Sequence, residues 1–235
     1  MGWIKSAFPK IAAGLLGVGA LAGVVVFAKK NLVKFFSMTR KPEGKLGELM
    51  VRSMNTGHAK VSDWGLSLLN GIAPREMLDA GCGGGRNAAK LLEKYPEAKL
   101  TALDYSPVSV EKTREFNREA VAANRCAVVE GSVAKLGFED ERFDLVTAFE
   151  TVYFWPGLTD CFTEVCRVLK PGGTFLIVNE SDGEDAASRK WSEIIDGMRC
   201  YTEQQLVGAL KAAGFSEVKA ARRGGKPWLS ILATK

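Results

Sequence analysis

The stretch that most constrains the fold is residues 77–107, in which two apolar runs flank a glycine-rich turn and an amphipathic segment. The first run ends at Asp79 and the second ends at Asp104. Glycine lets a backbone turn tightly and approach a ligand without a Cβ clash, and the N-terminus of a helix behind the turn offers free N–H groups. This order predicts two parallel strands joined by a turn and a helix, with a nucleotide-type ligand lying across the carboxyl ends of the strands.

The glycine turn does not follow the dinucleotide-binding fingerprint G-x-G-x-x-G, because the sixth position counted from Gly81 is Arg86. Its pattern is Asp-x-Gly-x-Gly-x-Gly, which resembles motif I of the class I S-adenosylmethionine-dependent methyltransferases. The resemblance implies that the turn passes the methionine end of S-adenosylmethionine and that a carboxylate at the end of the next strand holds the ribose. The cofactor-binding residues implied in this stretch are Asp79, Gly81, Gly83, Gly85, Asp104 and Tyr105. For Asp104 the alternative is a turn or cap acid, and its distance from motif I favours ribose binding.

Three further segments follow in the order that the same family shows, so the resemblance covers about residues 49–235. After a predicted third strand, the loop that would bracket the adenine carries Ser132 and Val133, although an aspartate often stands in the family at the position of Ser132. The predicted fourth strand ends at Phe149, which completes the expected cofactor site. Residues 169–173 read L-K-P-G-G before another apolar run, one of the most recognisable segments of the family.

The expected fold class is α/β, with a Rossmann-like, seven-stranded, mostly parallel sheet that carries helices on both faces. Ser106 followed by Pro107 predicts the start of the helix after the second strand, because serine caps helices and proline suits their first position. Residues 181–200 are polar and are expected to form a lid over the acceptor. The last two strands are expected to form a hairpin around residues 224–225.

Three residues are candidates for a general base, which is needed only where the acceptor must lose a proton. Glu150 is the carboxylate nearest to the expected chemistry, and Tyr153 belongs to an aromatic run that could line a dry acceptor slot. His58, the one histidine, follows a break in a helical pattern, in a segment that folds over the cofactor and acceptor in the resembled family. Each has a structural alternative. These alternatives are a cofactor contact or helix cap for Glu150, packing for Tyr153, and a hydrogen bond at a helix start for His58.

The resemblance implies transfer of a methyl group from S-adenosylmethionine to a small-molecule acceptor, without a metal ion and without a covalent enzyme intermediate. The main task of the enzyme would be to align the two reactants. Two other functions stay open: a non-catalytic cofactor-binding or membrane-tethered interaction protein that kept the fold, and a nicotinamide oxidoreductase, which Arg86 disfavours. The body of the chain has no basic face of the kind that nucleic-acid binding requires. Five cysteines without a C-x-x-C pair favour free thiols in a reducing compartment.

Residues 11–28 form an uncharged apolar run of 18 residues, which as a helix would span about 27 Å. Eight of the 32 basic residues but only one of the 27 acidic residues lie in residues 1–45, and six of these eight follow the run. We therefore expect a membrane-anchor helix with a basic flank over residues 1–36, a linker over 37–48, and a catalytic domain over 49–235 on the cytoplasmic side. A cleaved signal peptide and a buried core helix are the alternatives.

Overall fold

The structure, a computed structural model, describes residues 38–235, which form one seven-stranded sheet flanked by α-helices. The strands are β1 (Glu76–Ala80), β2 (Lys99–Asp104), β3 (Cys126–Glu130), β4 (Phe143–Phe149), β5 (Leu169–Asn179), β6 (Glu217–Arg222) and β7 (Leu229–Thr234). The α-helices are α1 (Gly44–Gly57), α2 (Ala59–Leu66), α3 (Arg86–Lys94), α4 (Pro107–Phe116), α5 (Arg118–Ala122), α6 (Leu158–Val168), α7 (Ala186–Ile194) and α8 (Glu203–Ala212). A short 3₁₀ helix, Val152–Phe154, follows β4.

The strand order is β3-β2-β1-β4-β5-β7-β6. Strand β7 runs antiparallel to both of its neighbours, and every other neighbouring pair in this sheet is parallel. The predicted seven-stranded, mostly parallel sheet and its closing hairpin are therefore confirmed. The chain runs outward from β1 through β2 and β3 and then returns to place β4 on the other side of β1. Open α/β sheets bind ligands outside the carboxyl ends of the strands at such a reversal.

The strands are apolar on both faces because helices cover both faces of the sheet. Met77 packs on one face in a cluster with Leu91 of α3, whereas Leu78 packs on the other face with Phe162 of α6. All four side chains are fully buried. Burying one such side chain contributes about 1.5–3 kcal/mol, so the two clusters hold the strand ends in fixed positions relative to one another.

Helix starts near the sheet are capped by side chains, as the sequence predicts for α4. The Ser106 hydroxyl accepts a hydrogen bond from the backbone N–H of Ser109 at 3.4 Å, and Pro107 occupies the first turn of the helix. Helix α8 begins with a capping box between Thr202 and Gln205. Such caps satisfy N–H groups that have no partner inside the helix, and here they fix where the chain turns back from the sheet edge.

The L-K-P-G-G segment lies inside β5 and forms a local irregularity there. Phe143 of β4 pairs with Leu169, but Leu145 pairs with Thr174, so residues 170–173 have no partners in the register with β4. Gly172 has a φ of +77°, a backbone conformation that glycine adopts without steric strain. The predicted turn before the fifth strand is therefore found as an extra loop within the strand.

The described part of the expected linker, residues 38–48, belongs partly to the folded domain. Helix α1 begins at Gly44, inside the range expected to be a spacer. The hydroxyl of Tyr105 donates to the carbonyl of Arg40, and the hydroxyl of Ser106 donates to the carbonyl of Pro42 at 2.8 Å. These contacts join the described part of the expected linker to the end of β2, and the boundary at residue 48 stays a prediction. Glycine and proline content alone did not reveal them.

The predicted apolar membrane helix at residues 11–28 lies outside the described residues. Within residues 38–235, no helix has both the length and the apolar character needed to cross a bilayer. The membrane anchor therefore remains a proposal from the sequence, and the folded domain is described without it.

The five cysteines are free thiols, as their irregular spacing predicts. Cys82, Cys126, Cys161 and Cys166 are buried, and Cys200 is half-buried. Burial raises the pKa of the Cys82 thiol well above its ordinary value, and the nearby charges of Asp104 and Asp79 act in the same direction. A buried neutral thiol of this kind packs as a small apolar group.

Candidate active site

A cavity of about 340 Å³ lies at the carboxyl ends of β1, β2, β4 and β5, where the strand order reverses. Pockets for small ligands and cofactors measure about 300–1,000 Å³ and carry a few polar groups on mostly apolar walls. Ten of the residues predicted to form the site line the cavity: Gly81, Gly83, Asp104, Tyr105, Ser132, Val133, Phe149, Glu150, Tyr153 and His58. Two predicted residues, Asp79 and Gly85, do not line it.

The glycine turn after β1 is held in place by β2 and α4. The carbonyl of Leu103 accepts the backbone N–H groups of Gly81 at 2.7 Å and Cys82 at 3.0 Å. The hydroxyl of Thr113 donates to the carbonyl of Gly83 at 3.0 Å. Gly83 has a φ of +54°, and no atom lies within 4 Å of the position that a Cβ would take. The absent side chain of Gly83 therefore leaves open space in the cavity wall.

Asp104 ends β2 with a buried carboxylate at the cavity wall. Its oxygens accept backbone N–H groups from Gly83 at 3.0 Å and from Ser106 at 2.9 Å. Burial raises the pKa of Asp104, while the hydrogen bonds from Ser106 and Gly83 act in the opposite direction. A carboxylate oxygen accepts more than one hydrogen bond, so Asp104 can still receive the hydroxyl groups of a ribose.

Gly85 packs α3 against α4 and does not line the cavity, and its contact with the cofactor stays a prediction. Gly85 has a φ of +80° and precedes α3. A Cβ at this position would lie 2.6 Å from Nδ2 of Asn117 and 2.9 Å from Cα of Thr113. The Asn117 amide also donates to the carbonyl of Gly85 at 2.9 Å. Glycine is needed here for the close approach of the two helices.

Asp79 does not line the cavity either, and its contact with the cofactor also stays a prediction. Its side chain is 1% exposed and accepts a hydrogen bond from the hydroxyl of Thr147 on β4 at 2.9 Å. Burial raises the pKa of Asp79 to about 7, while the hydrogen bond from Thr147 acts in the opposite direction. Asp79 is paired with Thr147 in the register of β1 with β4, and its side chain does not line the cavity.

Ser132 and Val133 are expected near the adenine. Both contribute to the cavity wall, but with different chemistry. The hydroxyl of Ser132 accepts the backbone N–H of Ala134 at 3.2 Å, so it is engaged in its own turn. Val133 is buried and supplies an apolar wall. Tyr105, which lies 39% exposed at the cavity edge, donates its hydroxyl to Arg40. The ring of Tyr105 rather than its hydroxyl is thus the part that can contact a ligand.

A cluster of one histidine and two glutamates lies in the same cavity, and we call His58, Glu150 and Glu180 the acidic cluster. The Nδ1 atom of His58 lies 3.2 Å from Oε2 of Glu180 and 3.5 Å from Oε2 of Glu150. Glu180 follows β5, three strand spacings or about 14 Å from β2, and Glu150 follows β4, two spacings or about 10 Å from it. Ligand atoms of the three side chains lie within 4.8 Å of one another, and the expectation that the reaction needs no metal therefore stays a prediction.

The acidic cluster contains ionisable groups whose pKa values are displaced. Burial raises the pKa of Glu150 to about 7, and the charge of His58 acts in the opposite direction. Burial alone would lower the pKa of His58, but the hydrogen bond to Glu180 and the charges of both glutamates outweigh it, so that pKa is raised. Perturbed groups in a cleft mark candidate functional sites. Glu150 also has a φ of +58°, uncommon for a residue other than glycine.

Tyr153 contacts the cluster but is poorly suited to act as a base. Its hydroxyl accepts the backbone N–H of Ser181 at 3.1 Å and lies 3.5 Å from Oε1 of Glu150. Burial raises the pKa of Tyr153 well above its ordinary value, and the charge of Glu150 acts in the same direction. A phenol that holds its proton this firmly is better placed as a wall and a hydrogen-bonding partner.

Aromatic and apolar side chains complete the cavity walls near the cluster. Phe154 and Trp155, which follow Tyr153 in the aromatic run, line the cavity. Trp155 is nevertheless mainly a core residue, stacked on Phe175 with ring centroids 6.1 Å apart and 5% exposed. Trp191 and Met198, which come from the expected lid over residues 181–200, also line the cavity.

Glu180 is the functional candidate that the sequence interpretation missed. It directly follows β5, and Glu150 directly follows β4, so both acids end neighbouring parallel strands. A signal was present, because Asp104 likewise lies at the carboxyl end of an apolar run. The backbone N–H of Glu180 donates to a carboxylate oxygen of Glu150, which joins the two acids directly.

Residues 78–177 match a protein-family model described as a methyltransferase domain. The match begins in β1, includes the glycine turn and Asp104, and ends in β5. The chain belongs to the class I S-adenosylmethionine-dependent methyltransferases. S-adenosylmethionine is the cofactor of this family, and the glycine turn together with Asp104 is the region of the cavity where we expect it to bind.

Curated methyltransferases share about a third of their residues with this chain over the matched region. A sterol 24-C-methyltransferase of Gibberella zeae is 31% identical over 173 residues, which cover 67% of this chain and 45% of the relative. A cycloartenol-C-24-methyltransferase of Arabidopsis thaliana is 31% identical over 178 residues, 69% of this chain and 52% of the relative. The chain thus spans about half the length of the curated methyltransferases that it matches.

Solved methyltransferase structures share the fold. A crystal structure of a methyltransferase from Aquifex aeolicus that depends on S-adenosylmethionine superposes with a TM-score of 0.65. The superposition covers 80% of this chain and 97% of the other, at 17% sequence identity. At this identity the likeness shows the shared methyltransferase fold alone.

Proposed function

We propose that this protein is an enzyme that transfers the methyl group of S-adenosylmethionine to a small-molecule acceptor. One observation carries the proposal: a single cavity contains both the glycine turn with Asp104 and the acidic cluster with its aromatic walls. The first region suits the cofactor, and the second offers groups that can bind an acceptor and take a proton. A protein that only bound the cofactor would have no use for the second region.

The residues of the cofactor region fit S-adenosylmethionine. The carboxylate of Asp104 would accept hydrogen bonds from the ribose hydroxyls, and hydrogen bonds to charged groups contribute about 1.5–3 kcal/mol each. Gly83 leaves open space for the methionine end, and Ser132 and Val133 would lie beside the adenine. When bound, the cofactor supplies an electrophilic methyl group on a positively charged sulfur.

The protein's own contribution would be to hold the acceptor in line with that methyl group. Fixing two reactants in a productive geometry can remove about 7–11 kcal/mol from a barrier. The walls that would do so are Phe154, Trp191 and Met198, which are mostly apolar. An acceptor that reacts through an O–H or N–H group must also lose a proton, and His58 and Glu150 are the groups placed to receive it.

The acceptor is proposed to be a small, lipid-soluble molecule. Two matched relatives are named for methylation of sterols or of cycloartenol, and the described walls of the acceptor region are largely aromatic. The acidic cluster adds a polar end to this region, which would orient a single polar group of an otherwise apolar acceptor.

The proposed cofactor can be tested without knowing the acceptor, by following the thermal stability of the purified protein. A ligand that binds only the folded state stabilises it by about 2.7 kcal/mol at a hundredfold excess over its Kd. S-adenosylmethionine and S-adenosylhomocysteine should therefore raise the melting temperature, whereas NAD should not. Stabilisation by NAD in place of S-adenosylmethionine, or by neither, would contradict the proposed function.

We also propose that residues 11–28 anchor the protein to a membrane and that its catalytic domain lies in the cytoplasm. What supports this is the length of the uncharged apolar run and the cluster of lysines and arginines after it. A lipid-dissolved acceptor and a membrane-tethered enzyme would meet on the same surface, which agrees with the proposed acceptor class.

Removal of residues 1–36 should give a water-soluble protein with unchanged affinity for S-adenosylmethionine. The contacts of Arg40 and Pro42 with the end of β2 remain in such a protein, and so do all seven strands. In cell fractionation, the full chain should stay in the membrane pellet after an alkaline wash, and the shortened chain should not. Release of the full chain by salt alone would indicate a surface contact between charges. Recovery of the full chain in the soluble fraction from the outset would contradict the anchor.

A further inference from the structure

His58 lies at the junction of α1 and α2, with its ring directed at acids from two neighbouring strands. Its Nδ1 atom lies 3.2 Å from Oε2 of Glu180 and 3.5 Å from Oε2 of Glu150. The three side chains are 26%, 22% and 14% exposed for His58, Glu180 and Glu150, respectively. The contact therefore lies in a mostly buried place, where a hydrogen bond to a charged group is stronger than in water.

The geometry fixes which nitrogen of His58 carries the proton in the neutral ring. An ionised carboxylate only accepts hydrogen bonds, and a neutral imidazole has one N–H donor and one nitrogen lone pair. Because the carboxylates face Nδ1, the hydrogen must be on Nδ1 for the contact to be attractive. The lone pair is then on Nε2, the atom on the other side of the ring.

The two glutamates are not equivalent partners of His58. One oxygen of Glu150 accepts the backbone N–H of Glu180 and also lies near the hydroxyl of Tyr153, so this side chain is held by several groups. Burial raises the pKa of Glu150 to about 7. Burial acts to raise the pKa of Glu180, but the hydrogen bond with His58 and the positive charges nearby together lower it. Glu180, whose carboxylate lies nearer to Nδ1, is thus the hydrogen-bonded partner of the ring.

We propose that Glu180 is a positioning residue that keeps the proton of neutral His58 on Nδ1 and so leaves Nε2 to accept a proton from the acceptor. This rests on the proposed methyl transfer. In that step, the O–H or N–H bond of the acceptor breaks, and its proton goes to Nε2. The electron pair stays on the acceptor atom and forms the bond to the methyl carbon. The carbon–sulfur bond breaks with its pair on sulfur, so the sulfonium becomes a thioether.

The chain has a single histidine, which makes a direct measurement possible. In the full-length protein labelled with nitrogen-15 and kept in detergent, long-range proton–nitrogen NMR spectra distinguish the two neutral tautomers of His58 and give its pKa. We expect the wild-type ring to carry its proton on Nδ1. With Glu180→Ala, both tautomers should become populated and the pKa of His58 should fall, because a charged acceptor has been removed.

Two further variants make the measurement specific. Glu180→Gln keeps the size of the side chain and removes its charge, so it should lower the pKa of His58 even if the alanine variant does not fold. Glu184→Ala removes a carboxylate from the same loop that is 58% exposed and lies 3.5 Å from Arg222, and it should leave the tautomer and the pKa unchanged. A wild-type ring with its proton on Nε2, or an unchanged pKa in both Glu180 variants, would overturn the proposal.

The NMR measurement does not require methyl transfer to occur. Failure of the positioning role and failure of the proposed function would therefore be detected in separate experiments. Once an acceptor is known, Glu180→Gln should lower kcat while leaving the KM for S-adenosylmethionine nearly unchanged. General bases contribute about 10²–10⁴-fold, and loss of orientation should remove part of that factor. Below the pKa of His58 the ring is protonated and cannot accept a proton, so the rising limb of the pH profile should move to lower pH in Glu180→Gln. A kcat and pH profile equal to those of the wild type would overturn the positioning role.

Discussion

Replacing Gly83 by valine should lower the affinity for S-adenosylmethionine by at least about a hundredfold, or about 2.7 kcal/mol. The backbone of Gly83 has a φ of +54°, and the space where a Cβ would stand is open cavity. A branched side chain there would occupy the space that the cofactor needs. It would also disfavour the backbone conformation of the turn, at a cost of about 1–3 kcal/mol in stability. Calorimetric titration with S-adenosylmethionine measures the first effect, and thermal unfolding measures the second.

Gly71→Val is the matched control for this experiment. Gly71 has a φ of +76° and likewise has no atom within 4 Å of the position of its missing Cβ, but it does not line the cofactor cavity. It should therefore show a comparable loss of stability and no loss of affinity. A folded Gly83→Val protein that binds S-adenosylmethionine as tightly as the wild type would contradict the placement of the cofactor at the glycine turn.

Replacing Asp104 by alanine should weaken S-adenosylmethionine binding by about ten- to a hundredfold, because the ribose hydroxyls would lose a charged acceptor. The same change removes the acceptor of the Gly83 and Ser106 N–H groups, so the turn itself should become less well held. The charge of Asp104 is costly to bury, as its raised pKa indicates. We therefore expect Asp104→Ala to lower the affinity for S-adenosylmethionine more than it lowers the free energy of unfolding.

Asp104→Asn and Glu97→Gln separate these contributions. The asparagine keeps the size of the side chain but puts an NH₂ group where only acceptors are useful, so it should bind the cofactor nearly as poorly as the alanine variant. Glu97 is an exposed acid in the loop before β2, and its change to glutamine should leave binding unaltered. Unchanged calorimetric affinity in folded Asp104→Ala would remove this residue from the cofactor site.

The glycine turn and its flanking strands could be predicted from sequence because their geometry is local. Residues 77–107 contain the strand, the turn, the helix and the next strand, and each has a recognisable composition. Which of these residues face the ligand was harder to predict from the sequence. Asp79 and Gly85 belong to the same motif as Gly83, yet Asp79 bonds Thr147 of β4 and Gly85 packs against Thr113 of α4. A motif does not state which of its members face the ligand and which support the turn.

The acidic cluster could be predicted only in part because its members are distant in sequence. His58 and Glu180 are separated by 122 positions and meet only after β5 has paired with β4. Glu150 was recognised because it ends the strand beside β1, whereas the equivalent position one strand further out was not considered. The contacts of residues 38–43 were missed for the same reason, since a polar segment with a proline gives no local sign that it packs on the end of β2.

The most direct test of the central proposal uses S-adenosylmethionine with an isotope-labelled methyl group. The full-length protein is incubated with this cofactor and a lipid extract, and the products are followed by mass spectrometry, with Gly83→Val as the inactive control and Gly71→Val as the active one. We predict that the label moves into a small lipid-soluble product and that an equal amount of S-adenosylhomocysteine forms, with both absent for Gly83→Val. The same incubation is repeated with a water-soluble extract. If neither extract gives a labelled small molecule and the bound S-adenosylmethionine is recovered intact, the assignment as a small-molecule methyltransferase is contradicted.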